Sequence, residues 1–150
     1  MIEIRQATRD DLPTLQKFQV QLALESEGIS LDEAKLSAGL KALLNDEHKG
    51  VYYVALENQQ VIACYLITFE WSDWRNGMVW WLQSVYVIES HRGKGVFRVM
   101  YEHVLAQINA DPSVIGLRLY VDKSNARAMH VYRAMGMDGD HYTVFEWMNK

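Results

Sequence analysis

The chain has 150 residues, of which 49% are hydrophobic and 23% charged, and its formal net charge is -4. This size and balance suit one globular domain with an ordinary core and exclude a disordered chain. Mild acidity excludes a general nucleic-acid binder, whose phosphate contacts need a broad basic surface. The opening, MIEIRQATRDDL, lacks the apolar core of a signal peptide, and residues 2–7 read as a short strand. Thr8, three residues before Asp11, gives a capping-box-like start to a helix carrying Leu12, Leu15, Phe18 and Leu22 on one face. After the acidic turn Glu25-Ser26-Glu27-Gly28, the run Ser30-Leu31-Asp32-Glu33 predicts a capping box for a second helix with Leu36, Leu40, Leu43 and Leu44. VYYVAL (51–56) and QVIACYLITF (60–69) predict an antiparallel hairpin, with Cys64 a small buried core residue. As the single cysteine, it can form neither an internal disulfide nor a cysteine-rich zinc site. The polar WSDWRNG (71–77) leads into MVWWLQSVYV (78–87), apolar on both faces and hence a central strand. A helix with Phe97, Met100, Tyr101, Val104, Leu105 and Ile108 follows, then a strand over 114–121, a helix from Ser124 to Met135, and a closing strand over 141–148. No run approaches the ~20 apolar residues of a membrane span. The expectation is a single cytoplasmic α/β domain over residues 1–150, with a mixed sheet and neither nucleic acid nor membrane as partner.

The stretch SHRGKGVF (90–97) joins the central strand to a helix. N–H groups at a helix start have no partner within the helix, and the macrodipole places partial positive charge there. Gly93 and Gly95 let the backbone curl so that these groups converge, while Arg92 and Lys94 add charge. The result is either an anion site suited to phosphates or a glycine turn with solvated cations. Spacing excludes a Walker A loop, and Arg98, where a third glycine would stand, excludes the dinucleotide fingerprint.

Val87-Ile88-Glu89-Ser90-His91-Arg92-Gly93-Lys94-Gly95 resembles motif A of the GNAT superfamily, the acetyl-CoA-dependent N-acetyltransferases. The motif has the form Arg/Gln-x-x-Gly-x-Gly/Ala, with Arg92 and Gly95 in the first two places. Asn125, Ala128, Tyr132 and Met135-Gly136-Met137 resemble that family's Asn-x-x-Ala-x-x-x-Tyr-x-x-x-Gly-Phe block. The resemblance implies a mostly antiparallel central sheet with a splayed parallel strand pair and flanking helices. It implies acetyl-CoA as cosubstrate, bound by Arg92, Gly93, Lys94, Gly95, Val96, Phe97 and Asn125 and by the main chain of Val85 and Val87. It also implies Tyr132 as the general acid that protonates the departing thiolate; spacing alone equally suits an interfacial core tyrosine. Phe97 departs from the pattern's Gly/Ala; it either packs on the strand or crowds the pantetheine arm, and its register with Tyr101, Val104 and Ile108 favours packing.

Glu70, Asp73, Glu89, His91 and His130 are candidates for a general base, and Gln83 for positioning the acceptor. Trp71, Trp74, Trp80 and Trp81 read as strand packing or as a cation–π pocket. The five histidines lack metal-ligand spacing, so no metal is expected. The leading expectation is acetyl transfer to a primary amine of a small molecule or peptide in a ternary complex, and the family resemblance makes a homodimer plausible. The alternatives are a non-catalytic acyl-CoA-binding module and an interaction domain recruiting a protein through its tryptophans. The acidic residues Glu25, Glu27, Glu70 and Asp73 weakly favour a cationic acceptor.

Overall fold

The computed structural model describes residues 1–149 and divides them into two units, Met1–Leu119 and a smaller one beginning at Tyr120. In the first unit, β1 (Ile2–Gln6) leads through a short 3-10 turn to α1 (Leu12–Glu27) and α2 (Glu33–Leu44). The strands β2 (Val51–Glu57), β3 (Gln60–Ser72) and β4 (Gly77–Val87) follow, then α3 (Val96–Ala110) and β5 (Val114–Arg118). The second unit holds α4 (Ala126–Ala134). The sheet runs in the order β1-β2-β3-β4-β5, antiparallel throughout except for the parallel pair β4 and β5. This is the mixed α/β sheet expected from the sequence.

Both faces of the sheet are covered, which explains the long apolar runs of the central strands. On one face Ile62, Tyr65, Ile67 and Leu82 pack with Val96, Met100 and Val104 of α3. On the other, Val54, Cys64, Leu66 and Tyr86 pack with Leu15 and Phe18 of α1 and Leu40 of α2. Asn58 and Gln59 both have positive φ (50° and 66°), the backbone a two-residue hairpin turn requires between twisted strands.

Four expectations shift, the first being that β5 stops at Arg118 rather than at residue 121. The cap of α2 is Asp32, which accepts from the N–H groups of Ala34 and Lys35, rather than Ser30. Its carboxylate is the stronger acceptor and lies one residue from the first helical turn. The third strand extends to Ser72 and the fourth starts at Gly77, because the turn tightens around Asn76 (φ 48°). Among the described residues, 141–148 form no strand. Strand-forming side chains supply propensity, but a strand exists only with a ladder partner.

The start of α1 depends on Asp11, which is 6% exposed. Its carboxylate takes two hydrogen bonds from Arg5 (2.7 and 3.0 Å) and one from the Thr8 N–H (2.7 Å). The Arg5 guanidinium, against burial and with help from the Thr8 N–H, holds this carboxyl below its ordinary 3.8. The folded value lies below the unfolded one, so the contribution is complete above 3.8 and is lost as pH falls through the folded value. Asp11→Asn is therefore expected to cost about 2 kcal/mol at pH 7. The gap to wild type should close in thermal melts below pH 3.8; a constant gap would contradict this origin.

Candidate active site

The central feature is a break in β4. Tyr86 stands opposite Cys64, but Gln83 stands opposite Leu66, so β4 carries one extra residue between them. Ser84 sits there with φ 53°, a conformation that costs a non-glycine residue roughly 1–3 kcal/mol. The side-chain parity flips across this bulge. Trp80 and Leu82 face α3 before it, and Val85 and Val87 face α3 after it. The buried Gln19 amide donates to the Cys64 sulfur (3.6 Å), and the Cys64 thiol donates to the Ser84 carbonyl (3.5 Å). Cys64 is buried as expected, with its thiol pushed up to about 12 by burial. Its hydrogen bond to the bulged carbonyl is an additional role.

The bulge sets the direction of the main chain beyond it. Ile88 N–H donates to Ile62 O (2.9 Å), so Val87, one residue earlier, turns its N–H and C=O away from β3. Val85 shares that sense because no further bulge intervenes. On this side β4 pairs with β5 only from Met78 to Trp81. After Trp81, β4 has no β5 partner among the described residues, and the edge groups of Val85 and Val87 face that opening.

The loop after β4 approaches the start of α3. Gly93 (φ 72°) and Gly95 (φ 81°) both take left-handed backbone, the reason these positions are glycine. A Cβ built at either would meet nothing within 4 Å. No side chain caps α3, and its first helical bond runs from Val99 N–H to Gly95 O (3.2 Å). The N–H groups ahead of that bond have no partner within the helix. Val96 is buried, and the Phe97 ring packs on the core at 6.0 Å from the Tyr101 ring, the packing alternative of the two. Lys94 is exposed and has no ion-pair partner among the described residues.

Arg92 is committed elsewhere. Its Nε donates to Val87 O (2.8 Å), its Nη2 pairs with Glu25 (2.8 Å), and its guanidinium lies over the Tyr86 ring (5.3 Å). The Tyr86 hydroxyl also donates to Glu25 (2.8 Å). That hydroxyl, ahead of the Arg92 guanidinium, holds the Glu25 carboxyl below the usual carboxylate range. The end of α1 thereby grips both the bulged strand and the loop. His91 adds a brace from Nε2 to Glu57 (3.1 Å).

Among the other candidates, Glu70 accepts from Trp81 Nε1 (2.8 Å) and from Arg118 at both oxygens (3.1 and 3.0 Å). The Trp81 hydrogen bond, ahead of Arg118, keeps its carboxyl below the usual range, which makes it a weak base. Gln83 donates to Thr68. Asp73 accepts from the Trp74 N–H in the exposed β3–β4 turn, and Glu89 is exposed. Trp80 packs on the core while Trp74 is 91% exposed. With Glu25 and Glu70 both neutralised by arginines, the acidic residues give less support to a cationic acceptor than their number suggests.

In the second unit Asn125 is the cap of α4, its Oδ1 accepting from Ala128 N–H (3.1 Å). Tyr132 lies two turns further along the same helix, about 10 Å from the cap by helical rise. Burial pushes the Tyr132 phenol up, so it keeps its proton at neutral pH. His130 is exposed on that helix.

The first unit brings Val85, Val87, Arg92, Gly93, Lys94, Gly95, Val96 and Phe97 to one strand end and loop, and Asn125 and Tyr132 share α4. The bulge, the Cys64–Ser84 contact and the Glu25 clamp were not apparent from the sequence. The local hint was the polar pair Gln83-Ser84 inside an otherwise apolar strand.

The acetyltransferase (GNAT) family model matches residues 14–137. Among solved structures, a "possible acetyltransferase" from Clostridium difficile 630 is 43% identical, with a TM-score of 0.93 over 100% of this chain and 99% of that one. A predicted acetyltransferase from Clostridium acetobutylicum, solved with acetyl-CoA, is 21% identical, with a TM-score of 0.76 over 97% and 96%. An aminoglycoside N-acetyltransferase solved with CoA is 16% identical, with a TM-score of 0.80 over 100% and 96%. Among curated proteins no sequence matches. The family match spans most of the chain, and the 43% identical structure aligns along all of it, so the chain belongs to the acetyltransferase (GNAT) family.

Proposed function

We propose that the protein moves the acetyl group of acetyl-CoA to a primary amine, with both substrates bound together in one domain spanning residues 1–150. The observation that carries this reading is the pairing of an uncapped, glycine-lined start of α3 with the bulged, unpaired edge of β4. The residues present fit the cosubstrate. Backbone N–H groups at the α3 start, with Gly93 and Gly95 leaving space before them, suit a pyrophosphate. The outward N–H groups of Val85 and Val87 suit the amide arm and thioester.

Acetyl-CoA supplies an activated acetyl group. The Val85 N–H donates toward the thioester oxygen and stabilises the negative charge that gathers there. The amine nitrogen forms its bond to the carbonyl carbon, the C–S bond breaks, the Tyr132 hydroxyl gives its proton to the departing sulfur, and the proton shed by the amine nitrogen returns through water to the Tyr132 phenolate. Asn125 anchors the cosubstrate. The acceptor is an amine of a small molecule or peptide, the former in line with the aminoglycoside acetyltransferase among the similar structures. A second copy of the chain completes the assembly.

Calorimetric titration with CoA tests the site: saturable one-to-one heat is expected, and its absence would remove the loop from cofactor binding. The two cations should behave differently in the same titration. Lys94→Ala is expected to weaken CoA more at low salt than at high salt, because an exposed charge is screened. Arg92→Ala should weaken it at both, because the lost contacts to Val87 and Glu25 disorder the loop. Equal salt dependence would mean that Arg92 also acts as a phosphate cation.

A further inference from the structure

Three buried polar side chains converge on the strained residue of β4. Ser84, at φ 53°, holds a backbone conformation that persists only where its surroundings over-determine it. The Cys64 thiol, fully buried in β3, donates to the Ser84 carbonyl (3.5 Å). Gln19 of α1, 7% exposed, donates its amide N–H to the same sulfur (3.6 Å), which leaves the thiol hydrogen for Ser84. The Ser84 hydroxyl in turn donates to the phenol oxygen of the buried Tyr52 on β2. Ser84 is thus held at its carbonyl and at its hydroxyl by residues of three elements. Their neighbours are Leu15, Phe18, Val54 and Leu66, among which polar groups cost stability unless they are hydrogen-bonded. Aliphatic side chains would fill this space without that cost, so packing alone does not explain the choice.

The consequence falls on the next residue. Among the described residues no peptide bond is cis, so the Ser84 carbonyl and the Val85 N–H point in opposite directions from one planar group. A carbonyl drawn toward Cys64 on β3 therefore turns the Val85 N–H away from β3, to the side where β4 has no β5 partner after Trp81. A peptide plane can also turn by opposite changes of ψ before it and φ after it, with the strand left in place. Its direction has to be fixed by hydrogen bonds, and here the fixing bonds come from side chains.

We propose that Gln19, Tyr52 and Cys64 are positioning residues for acetyl transfer, gripping Ser84 so that the Val85 N–H meets the thioester oxygen. Their role rests on the acetyl-transfer reading of the site. None of the three touches the cosubstrate or the reacting atoms. The thiol takes no part in the chemistry: burial pushes it up to about 12, so it keeps its proton and remains a donor.

Infrared spectroscopy of bound acetyl-CoA, isotopically labelled at the acetyl carbonyl, reads this donor directly and needs no turnover. In the wild type the carbonyl band should lie below that of free acetyl-CoA, because a hydrogen bond to the oxygen weakens C=O. In Cys64→Ala the band should return most of the way to the free position, while CoA affinity stays within about twofold of wild type. Its kcat should fall by about 10-fold, part of the 10²–10³ that outright removal of such a donor costs. Cys64→Ser supplies a hydroxyl donor and should restore both the band and kcat. Gln19→Met, which fills the space without the amide, and Tyr52→Phe should move the band the same way by less, and they decide the matter if Cys64→Ala does not fold. A wild-type band that is shifted and stays shifted in these variants would overturn the positioning role and leave acetyl transfer standing. A wild-type band at the free position would contradict Val85 as the donor and overturn the positioning role with it.

Discussion

Tyr132→Phe is expected to lower turnover by about 10²–10⁴-fold, the range for loss of one positioned acid. The substitution removes a hydroxyl and keeps the ring, so thermal stability and CoA affinity should stay near wild type. The loss should sit in kcat, since the proton is needed only as the C–S bond breaks. Burial raises the phenol's pKa, so wild-type activity should not lose its acid at neutral pH, and any alkaline decline should fall above the ordinary value of 10.0. Parallel losses of stability and affinity would make Tyr132 a packing residue. Asn125→Ala is the contrast: losing the α4 cap and its amide should weaken binding, because an amide cannot supply the proton.

Gly95→Val is the second large effect, an expected loss of CoA affinity of about 10–100-fold, or about 1.4–2.7 kcal/mol. Two causes are combined in this change. A side chain at Gly95 would occupy the space before the α3 start, and a β-branched residue at φ 81° is strained. Gly95→Asn separates them, since asparagine tolerates left-handed backbone and still carries a side chain. Obstruction predicts a wild-type melting temperature with weakened binding. Restored binding in the asparagine variant would assign the effect to strain alone.

The elements from β1 to β5 were legible because each is decided locally. Leu15 and Phe18 repeat with helical spacing, and the buried runs of β3 and β4 are bounded by turn residues such as Asn58 and Asn76. Glycine at 93 and 95 likewise announced a tightly curled loop. The bulge at Ser84 was not legible, because a bulge is a mismatch of register between β3 and β4 and belongs to neither strand alone. The partners of Arg92 illustrate the same limit. Read alone, it is a phosphate-binding cation, but in the fold its guanidinium meets Glu25 on a helix far back in the chain. The segment 141–148 has the local signature of a strand, while its partner is a question of tertiary or quaternary structure. Phe97 departs from the family pattern at one position, yet the helical register of its neighbours already indicated packing.

The most direct test of acetyl transfer is thiol release from acetyl-CoA across a panel of primary amines, with the amines then weighed by mass spectrometry. The expected result is amine-dependent release matched by acetylation of that amine, both lost in Tyr132→Phe. Calorimetric binding of CoA with no amine raising release above the acetyl-CoA blank would contradict the enzyme and leave a binding module in its place.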